Sequence, residues 1–344
     1  MQSAINSLHL IICLLLMTAI KTNKTSVNVL DRSLIGISVG SLIEPKLVNG
    51  ELENESKDVI NPNNHLPTNS LVGGKERQST TVKRPPKRLA KVSVVIPTKN
   101  EEENIPFVLK SLPKWIYECI LVDAYSTDNT VRVAREVMPS IKVTWQTRKG
   151  KGNALACGFA AASGDIIVML DADCSTRPEE IKSFVETLIE TGSDYAKGSR
   201  CIPGGGSNDL SLLRRAGNKF LSTLVNLFFK TDFSDLCYGY NAFWADILEV
   251  FSLDSSSPSQ KGDGLLWGDG FEIETLLSLR AARNNLKIVE VPSYEDSRKF
   301  GRSNLNAFQD GLRVLRTIIK EWRMFTNSKL MSREVEDHGN QRAA

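Results

Sequence analysis

The sequence of 344 residues predicts an α/β fold, a mainly parallel sheet flanked by helices. Three observations carry that expectation. Short apolar runs recur from residue 92 onward, each the length of a buried strand. Stretches with a helical spacing of apolar residues separate them. Most of the runs end in proline or aspartate, so polar groups collect where such sheets bind ligands, at the carboxyl ends of their strands.

Residues 1–89 have a different character. An apolar run from Leu8 to Ile20 is broken only by His9 and Thr18. As a helix it would cover about 20 Å, short of the ~30 Å hydrocarbon core of a bilayer. Segment 1–20 is therefore expected as a shallow N-terminal anchor, the core of a signal peptide, or an incidental apolar tail. No Lys or Arg precedes the run, which argues against a signal peptide, and Lys21 and Lys24 favour a cytosolic side for the chain beyond them. Residues 21–89 are rich in Asn, Ser, Pro, Gly and charge and are expected to be a disordered, basic linker. Asn23 and Asn54 fit glycosylation sequons. Lys83, Arg84, Lys87, Arg88 and Lys91 form a basic stretch, either a solvated linker or a contact for an anionic membrane surface.

The folded domain is expected over 90–326, with 327–344 a flexible tail. Residues 92–97, 120–123, 143–145 and 166–171 read as strands. Helical patterns run over 102–112, 127–137, 153–162 and 178–190, with start signals such as Thr127 and Pro178 followed by Glu179 and Glu180. Beyond them, 194–197 is strand-like, 210–229 is a Leu- and Phe-rich helix, and another helix ends near Arg283. Leu305, Phe308, Leu312, Leu315, Ile319 and Trp322 then mark one face of a further helix, with Arg313, Arg316, Lys320 and Arg323 beside it. Such a face either packs on its own domain or lies on an anionic bilayer.

Composition excludes several chemistries. The only histidines are His9, His65 and His338, so the domain must work without imidazole. A histidine-based triad and histidine-ligated zinc are excluded there. Residues 1–90 carry 11 basic and 7 acidic side chains, whereas 91–326 carry 29 and 30. A near-neutral body argues against a nucleic-acid binder. Six cysteines, at 13, 119, 157, 174, 201 and 237, show no C-x-x-C spacing and are expected to be reduced, mostly buried thiols. No G-x-G-x-x-G follows the first strand and no G-x-x-x-x-G-K-[ST] occurs, which disfavours a dinucleotide-dependent dehydrogenase and a P-loop ATPase.

The most informative strand end is Leu170-Asp171-Ala172-Asp173. Residues two apart on a strand project to the same side, so both carboxylates can converge on one point. Two hard oxygen donors suit Mg²⁺ or Mn²⁺, which in turn bridges a diphosphate. The bland alternative is a loop whose aspartates cap the helix after Pro178.

Four motifs stand in order along the chain: Val94-Val-Ile-Pro-Thr-Lys-Asn-Glu-Glu-Glu-Asn-Ile, Val122-Asp-Ala-Tyr-Ser-Thr-Asp-Asn-Thr, Gly150-Lys-Gly-Asn-Ala, and Gly164-Asp-Ile-Ile-Val-Met-Leu-Asp-Ala-Asp. Together they closely resemble the family 2 inverting glycosyltransferases, whose fold is the nucleotide-sugar-binding, Rossmann-like GT-A fold. Within that family the dolichol- or polyprenyl-phosphate mannosyltransferase branch is the most similar, over residues 92–320. The resemblance implies a nucleotide-sugar site at Pro97, Thr98, Glu101, Asp123, Lys151 and Asp171, and a metal site at Asp171, Asp173 and Ser175. Three positions depart from the usual pattern. Ala124 replaces a common second acid, Tyr125 stands where a small residue is frequent, and Ser175 stands where glutamine is frequent.

The second half supplies arginines, which pair bidentately with phosphate oxygens. By the same resemblance, Arg200, Arg214 or Arg215, and Arg298 are expected at donor or acceptor phosphates, with Ser303 nearby; Asn304 replaces a frequent lysine. Arg200, Arg298 and Asp269 form the expected catalytic set. A sugar hydroxyl acceptor would need a carboxylate base, for which Asp269 and Glu272 are the candidates unless they cap the following helix. A phosphate acceptor is already anionic and needs none. The expected function is metal-dependent, inverting transfer from a UDP- or GDP-sugar to a polyprenyl or dolichyl phosphate, in the cytoplasm and peripheral to the cytosolic face of a membrane. Transfer to a sugar hydroxyl in polysaccharide synthesis and a catalytically silent nucleotide-sugar-binding subunit are the alternatives.

Overall fold

The computed structural model describes residue 84, residues 90–257 and 265–302, and the backbone of 307–343 with its side chains from 308 to 327. All belong to one compact unit, Val72–Ala344. The apolar segment 1–20, both sequons, the rest of the 21–89 linker, Ser303 and Asn304 lie outside the described residues.

Seven strands form the central sheet in the order β3-β2-β1-β4-β7-β5-β8. They are β1 (Val92–Thr98), β2 (Glu118–Asp123), β3 (Lys142–Trp145), β4 (Ile166–Met169), β5 (Tyr195–Ser199), β7 (Asn241–Trp244) and β8 (Ile288–Pro292). All pairings are parallel except those of β7, which runs antiparallel between β4 and β5. A small parallel ladder joins β6 (Gly206–Ser207) to β9 (Tyr294–Glu295).

Helices cover both faces, as the continuous apolar strands require. Val94, Ile96, Leu121 and Val168 pack against α1 (Ile105–Ser111), α2 (Thr130–Val137) and α4 (Ile181–Thr191). Val95, Ile120, Val122 and Ile167 turn the other way, against α3 (Lys151–Ala161), α6 (Leu248–Phe251) and α7 (Ile273–Arg283). The period-two alternation of side chains thus fills two cores from one strand.

Two helices begin three residues later than their sequence signals. α1 starts at Ile105 with Pro106 in its first turn, where a missing N–H costs nothing. The residues before α2 are occupied elsewhere: the Thr127 N–H donates to Asn100 Oδ1 (2.8 Å) and the Asn129 N–H to Glu102 Oε2 (2.8 Å). They stitch the loop after β1 to the loop after β2.

α5 (Leu212–Phe229) buries Leu221, Leu224 and Val225. The final helix, α8 (Ala307–Ala343), runs through the segment expected to be a flexible tail. No proline interrupts it, and its residues 327–338 are mostly ordinary helix formers. α8 packs on its own domain. Val314, Leu315 and Ile318 are buried, while Phe308, expected on the same face, is exposed. Trp322 stacks on Phe228 and Phe325 on Phe229, joining α8 to α5. The buried Glu321 accepts from Arg280 (3.3 Å) and Arg283 (3.2 Å) of α7. Among the described residues no helix is long and apolar enough to cross a membrane. The five described cysteines form no disulfide.

Residue 84 is anchored rather than solvated. The Arg84 guanidinium donates to Asp194 (2.8 Å) and Asp246 (3.1 and 3.2 Å) and lies over the Trp244 ring.

Candidate active site

Parallel pairing brings the ends of β1, β2, β3 and β4 to one edge. Thr98 lies in register with Asp123, Asp123 with Trp145, and Val95 with Met169, two residues before Asp171. The chain runs outward through β1, β2 and β3 and returns to the other side of β1 with β4, so Asp171 follows the strand at the switch in topology.

Pro97 and Thr98 end β1, with the Thr98 hydroxyl turned onto the Ile96 carbonyl (3.1 Å). Asp123 is buried, and its Oδ2 accepts the Ser126 N–H at 2.7 Å, closing the turn after β2. The nucleotide pocket expected here has its backbone in place, but Asp123 spends its best acceptor on that turn.

Asp171 stands beside Lys151. Lys151 Nζ lies 2.7 Å from Asp171 Oδ1 and 2.8 Å from Glu274 Oε1. Burial opposes the ammonium charge, yet the two carboxylates outweigh it and raise the Lys151 pKa. Burial likewise lifts Glu274, against the pull of Lys151. The glycines flanking Lys151 make the approach possible. A Cβ on Gly150 would sit 2.0 Å from the Asp269 carbonyl oxygen, and one on Gly152 would sit 1.8 Å from that of Gly268. That closeness lets the Gly152 N–H, an otherwise unpaired donor at the start of α3, bond to the Asp269 carbonyl (2.8 Å).

Asp173, Ser175, Arg298 and Glu101 form a second group. Asp173 Oδ1 accepts from the Ser175 N–H (3.0 Å) and hydroxyl (2.6 Å), and its Oδ2 lies 3.4 Å from Arg298. Arg298 also donates both terminal nitrogens to Glu101, at 3.0 and 2.8 Å. Its Nε is buried without a partner among the described residues. Asn104 Nδ2 bonds Glu101 Oε2 (2.6 Å) and the Phe300 carbonyl (3.1 Å), so the segment around Arg298 is fastened to the loop after β1.

The expected base candidates are engaged. Asp269 receives Arg148 Nε (2.9 Å) and Nη2 (2.8 Å) in a buried bidentate pair, and its Oδ2 also accepts the Leu266 N–H (3.0 Å). Glu272 Oε1 accepts the Gly268 and Gly270 N–H groups (3.2 and 3.3 Å), tying the turn ahead of α7. Arg148 and Glu274 escaped the sequence reading. Glu274 closes the Gly268–Glu274 motif, but its lysine lies 123 positions away, and only the fold joins them.

Arg200 and Arg214 pair with carboxylates other than Asp171 and Asp173. Arg200 is buried, donating to Asp235 (2.7 and 2.9 Å) and to Glu295 (2.9 Å), with Asn218 completing Asp235 (3.0 Å). Burial opposes its charge, and the Asp235 and Glu295 contacts raise its pKa regardless. Its guanidinium is already matched by two carboxylates. Arg214 pairs with Asp209 (2.7 Å), and Arg215 is exposed one residue along α5. Lys197, fully buried in β5, donates to the Tyr238 carbonyl (3.1 Å), and burial lowers its pKa despite Asp235 and Glu290.

Among the described residues no cluster of three or more His, Cys, Asp or Glu side chains is preassembled around one point. The donor chemistry nevertheless fits a hard cation. Asp171 and Asp173 offer oxygen only, and each now faces a side-chain cation, Lys151 or Arg298.

Comparison with known proteins bears on the family and the fold. Residues 93–251 match the family described as Glycosyl transferase family 2. The dolichol-phosphate mannosyltransferase of Pyrococcus furiosus is 32% identical over 224 residues, covering 62% of this chain and 59% of that protein. The match therefore spans less than two thirds of the archaeal protein. The undecaprenyl-phosphate mannosyltransferase of Micrococcus luteus is 31% identical over 231 residues (63% of this chain, 88% of that protein). The polyprenol monophosphomannose synthase of Mycolicibacterium smegmatis is 30% identical over 241 residues (67% and 85%). Among solved structures, the glucosyl-3-phosphoglycerate synthase of Mycobacterium tuberculosis with Mn²⁺, UDP and glucosyl-3-phosphoglycerate superposes with a TM-score of 0.51 at 23% identity, covering 68% of this chain and 81% of that one. Its complex with Mg²⁺ and UDP gives 0.51 at 21% identity, over 68% and 80%. By its motifs, its sheet order and these relatives, the chain belongs to glycosyl transferase family 2 and has the GT-A fold.

Proposed function

We propose that the protein transfers a sugar from a UDP- or GDP-sugar to a polyprenyl or dolichyl phosphate, with inversion at the anomeric carbon. The three relatives named above are mannosyltransferases or mannose synthases of lipid phosphates, and their chemistry supports the reading. The observation that carries it is the engagement of both base candidates. Asp269 is committed to Arg148 through both oxygens, while Glu272 gives Oε1 to the amides of its own turn and keeps Oε2 buried, 3.7 Å from Arg313. A sugar hydroxyl would need one of them to take its proton, whereas a phosphate monoester attacks as the anion it already is.

In this reading the phosphate oxygen attacks the anomeric carbon from the face opposite the nucleotide. The sugar's bond to the diphosphate breaks, and the nucleoside diphosphate leaves. Asp171 and Asp173 would hold Mg²⁺ or Mn²⁺, with Ser175 beside them. When bound, the ion offsets charge on the leaving diphosphate. Lys151 and Glu274 hold the Asp171 carboxylate in place. Arg298, 3.4 Å from Asp173, would offer its guanidinium to a phosphate held by that pair. Asp269 keeps the turn at α3 and α7 together rather than moving protons.

The lipid would approach along α5, where Leu212 and Leu213 are 85% and 78% exposed just ahead of Arg214 and Arg215. Leucines beside arginines suit the boundary of an anionic bilayer, here the cytosolic face. The test is incubation of the purified chain with labelled UDP- or GDP-sugars, Mg²⁺ and a polyprenyl phosphate, followed by organic extraction. Acid-labile label in the lipid is expected. Label only in a polymer or free glycan would refute the acceptor, and no turnover with any nucleotide sugar would refute the enzyme.

A further inference from the structure

Tyr125 carries a backbone strain that no contact of its own side chain offsets. Its φ is 55°, in the left-handed region that glycine and asparagine tolerate and bulky residues avoid. It is the only aromatic residue with positive φ among those described. The side chain is 66% exposed and makes no hydrogen bond or ring stack among the described residues. The turn is nevertheless pinned on both sides. The Ala124 N–H donates to the Thr98 carbonyl (2.8 Å), Asp123 Oδ2 accepts the Ser126 N–H (2.7 Å), and Ser126 Oγ accepts the Asn100 N–H (2.9 Å).

The result is a flat, apolar ring held open to solvent at the carboxyl end of β2. Asp123, the residue expected to contact the nucleotide base from this strand, is buried, so Tyr125 is what the strand presents outward. A nucleobase has two apolar faces and is bound by stacking wherever a rigid aromatic plane is offered. We infer that Tyr125 is the stacking platform for the nucleobase of the sugar donor, and thereby a donor-binding residue of the reaction. This rests on the nucleotide-sugar reading above.

The test uses the full chain with Mg²⁺ and measures binding of GDP, UDP and inorganic pyrophosphate by calorimetry, alongside thermal melting, for wild type, Tyr125→Gly and Tyr125→Phe. Glycine suits the left-handed turn, so Tyr125→Gly is expected to melt above wild type and cannot fail simply by unfolding. It is expected to bind the nucleoside diphosphate about tenfold more weakly, with pyrophosphate binding unchanged. Tyr125→Phe restores binding. Equal nucleotide affinity in Tyr125→Gly and wild type overturns this inference alone, as does an equal loss for pyrophosphate. A wild-type chain that binds neither nucleotide overturns the donor reading and this inference with it.

Discussion

Replacing Asp269 by asparagine separates a structural carboxylate from a catalytic base. The side chains of Arg148 and Asp269 are 5% and 4% exposed, and the pair makes two charge-assisted bonds of 2.9 and 2.8 Å. Breaking a buried pair outright costs about 3–5 kcal/mol, because the surviving charge is left without a partner. Asparagine keeps the shape and one acceptor. Arg148 also retains the Asp254 and Ser257 carbonyls (2.7 and 2.8 Å) and the Asp254 carboxylate at 3.8 Å. The expected loss is therefore about 2–4 kcal/mol, near the lower end of that range. At roughly 2–4 °C per kcal/mol for a domain of this size, calorimetric melting should fall by about 5–15 °C. Initial rates measured well below the variant's Tm should keep kcat within about tenfold of wild type, since loss of a general base costs about 10²–10⁴. A hundredfold or greater loss of kcat with an unchanged Tm would refute the structural role and, with it, the case against a hydroxyl acceptor.

Four further outcomes follow from contacts elsewhere in the domain. Burial works against the Glu118 charge, but hydrogen bonds from Lys142, Ser93 and Ser163 outweigh it and hold the carboxyl down to about 2 from its ordinary 4.5. A depressed carboxylate contributes stability that is present above its unfolded pKa and lost as pH falls through its folded one. Denaturation of Glu118→Gln should thus show about 2–3 kcal/mol less stability than wild type at pH 7, a gap that closes between pH 4.5 and about 2; a gap independent of pH would contradict this. Gly152→Ala must push the 268–269 turn away and should cost about 1–3 kcal/mol in urea unfolding, whereas Gly217→Ala, with open space around its Cβ, should not. Leu212→Asp with Leu213→Asp should abolish sedimentation with anionic vesicles while leaving Tm unchanged, and retained sedimentation would remove α5 from the membrane. Asp173→Ala should lose metal-dependent transfer and at least tenfold in Mn²⁺ affinity, measured by paramagnetic titration.

The first half of the domain was legible because its strands are continuous apolar runs and its carboxylates stand at their ends. Sequence order placed Asp171 and Asp173 just beyond the end of β4, and the Gly150–Gly152 motif placed Lys151 at the start of α3, where the structure has them. The second half hides its strands. β7 is antiparallel, and β8 carries Glu290, whose carboxylate accepts the Ser234 N–H (2.9 Å) and hydroxyl (2.6 Å). Periodicity signals a buried face but not which polar side chain the fold will use to close a loop. Asp269 looked like a base for the same reason. Its aspartate in a glycine-rich turn is visible in sequence, whereas Arg148, 121 positions earlier, is not recognisable as its partner until the two glycines bring α3 against that turn. The helix at the end of the chain was found, but its buried face was offset, because Glu321 directs the packing as much as the apolar stripe does.

Glu321 also ties the candidate site to the far end of the chain. It is the shared counter-charge for Arg280 and Arg283 on α7, the helix whose first turn holds Glu274 against Lys151 and Asp171. A premature stop or a proteolytic cut ahead of residue 321 would remove no residue of the aspartate cluster. It would still strand two arginines without their carboxylate and loosen the helix that positions Asp171. The carboxyl-terminal helix is thus joined to the aspartate cluster through α7, the helix that carries both Glu274 and the two arginines paired with Glu321.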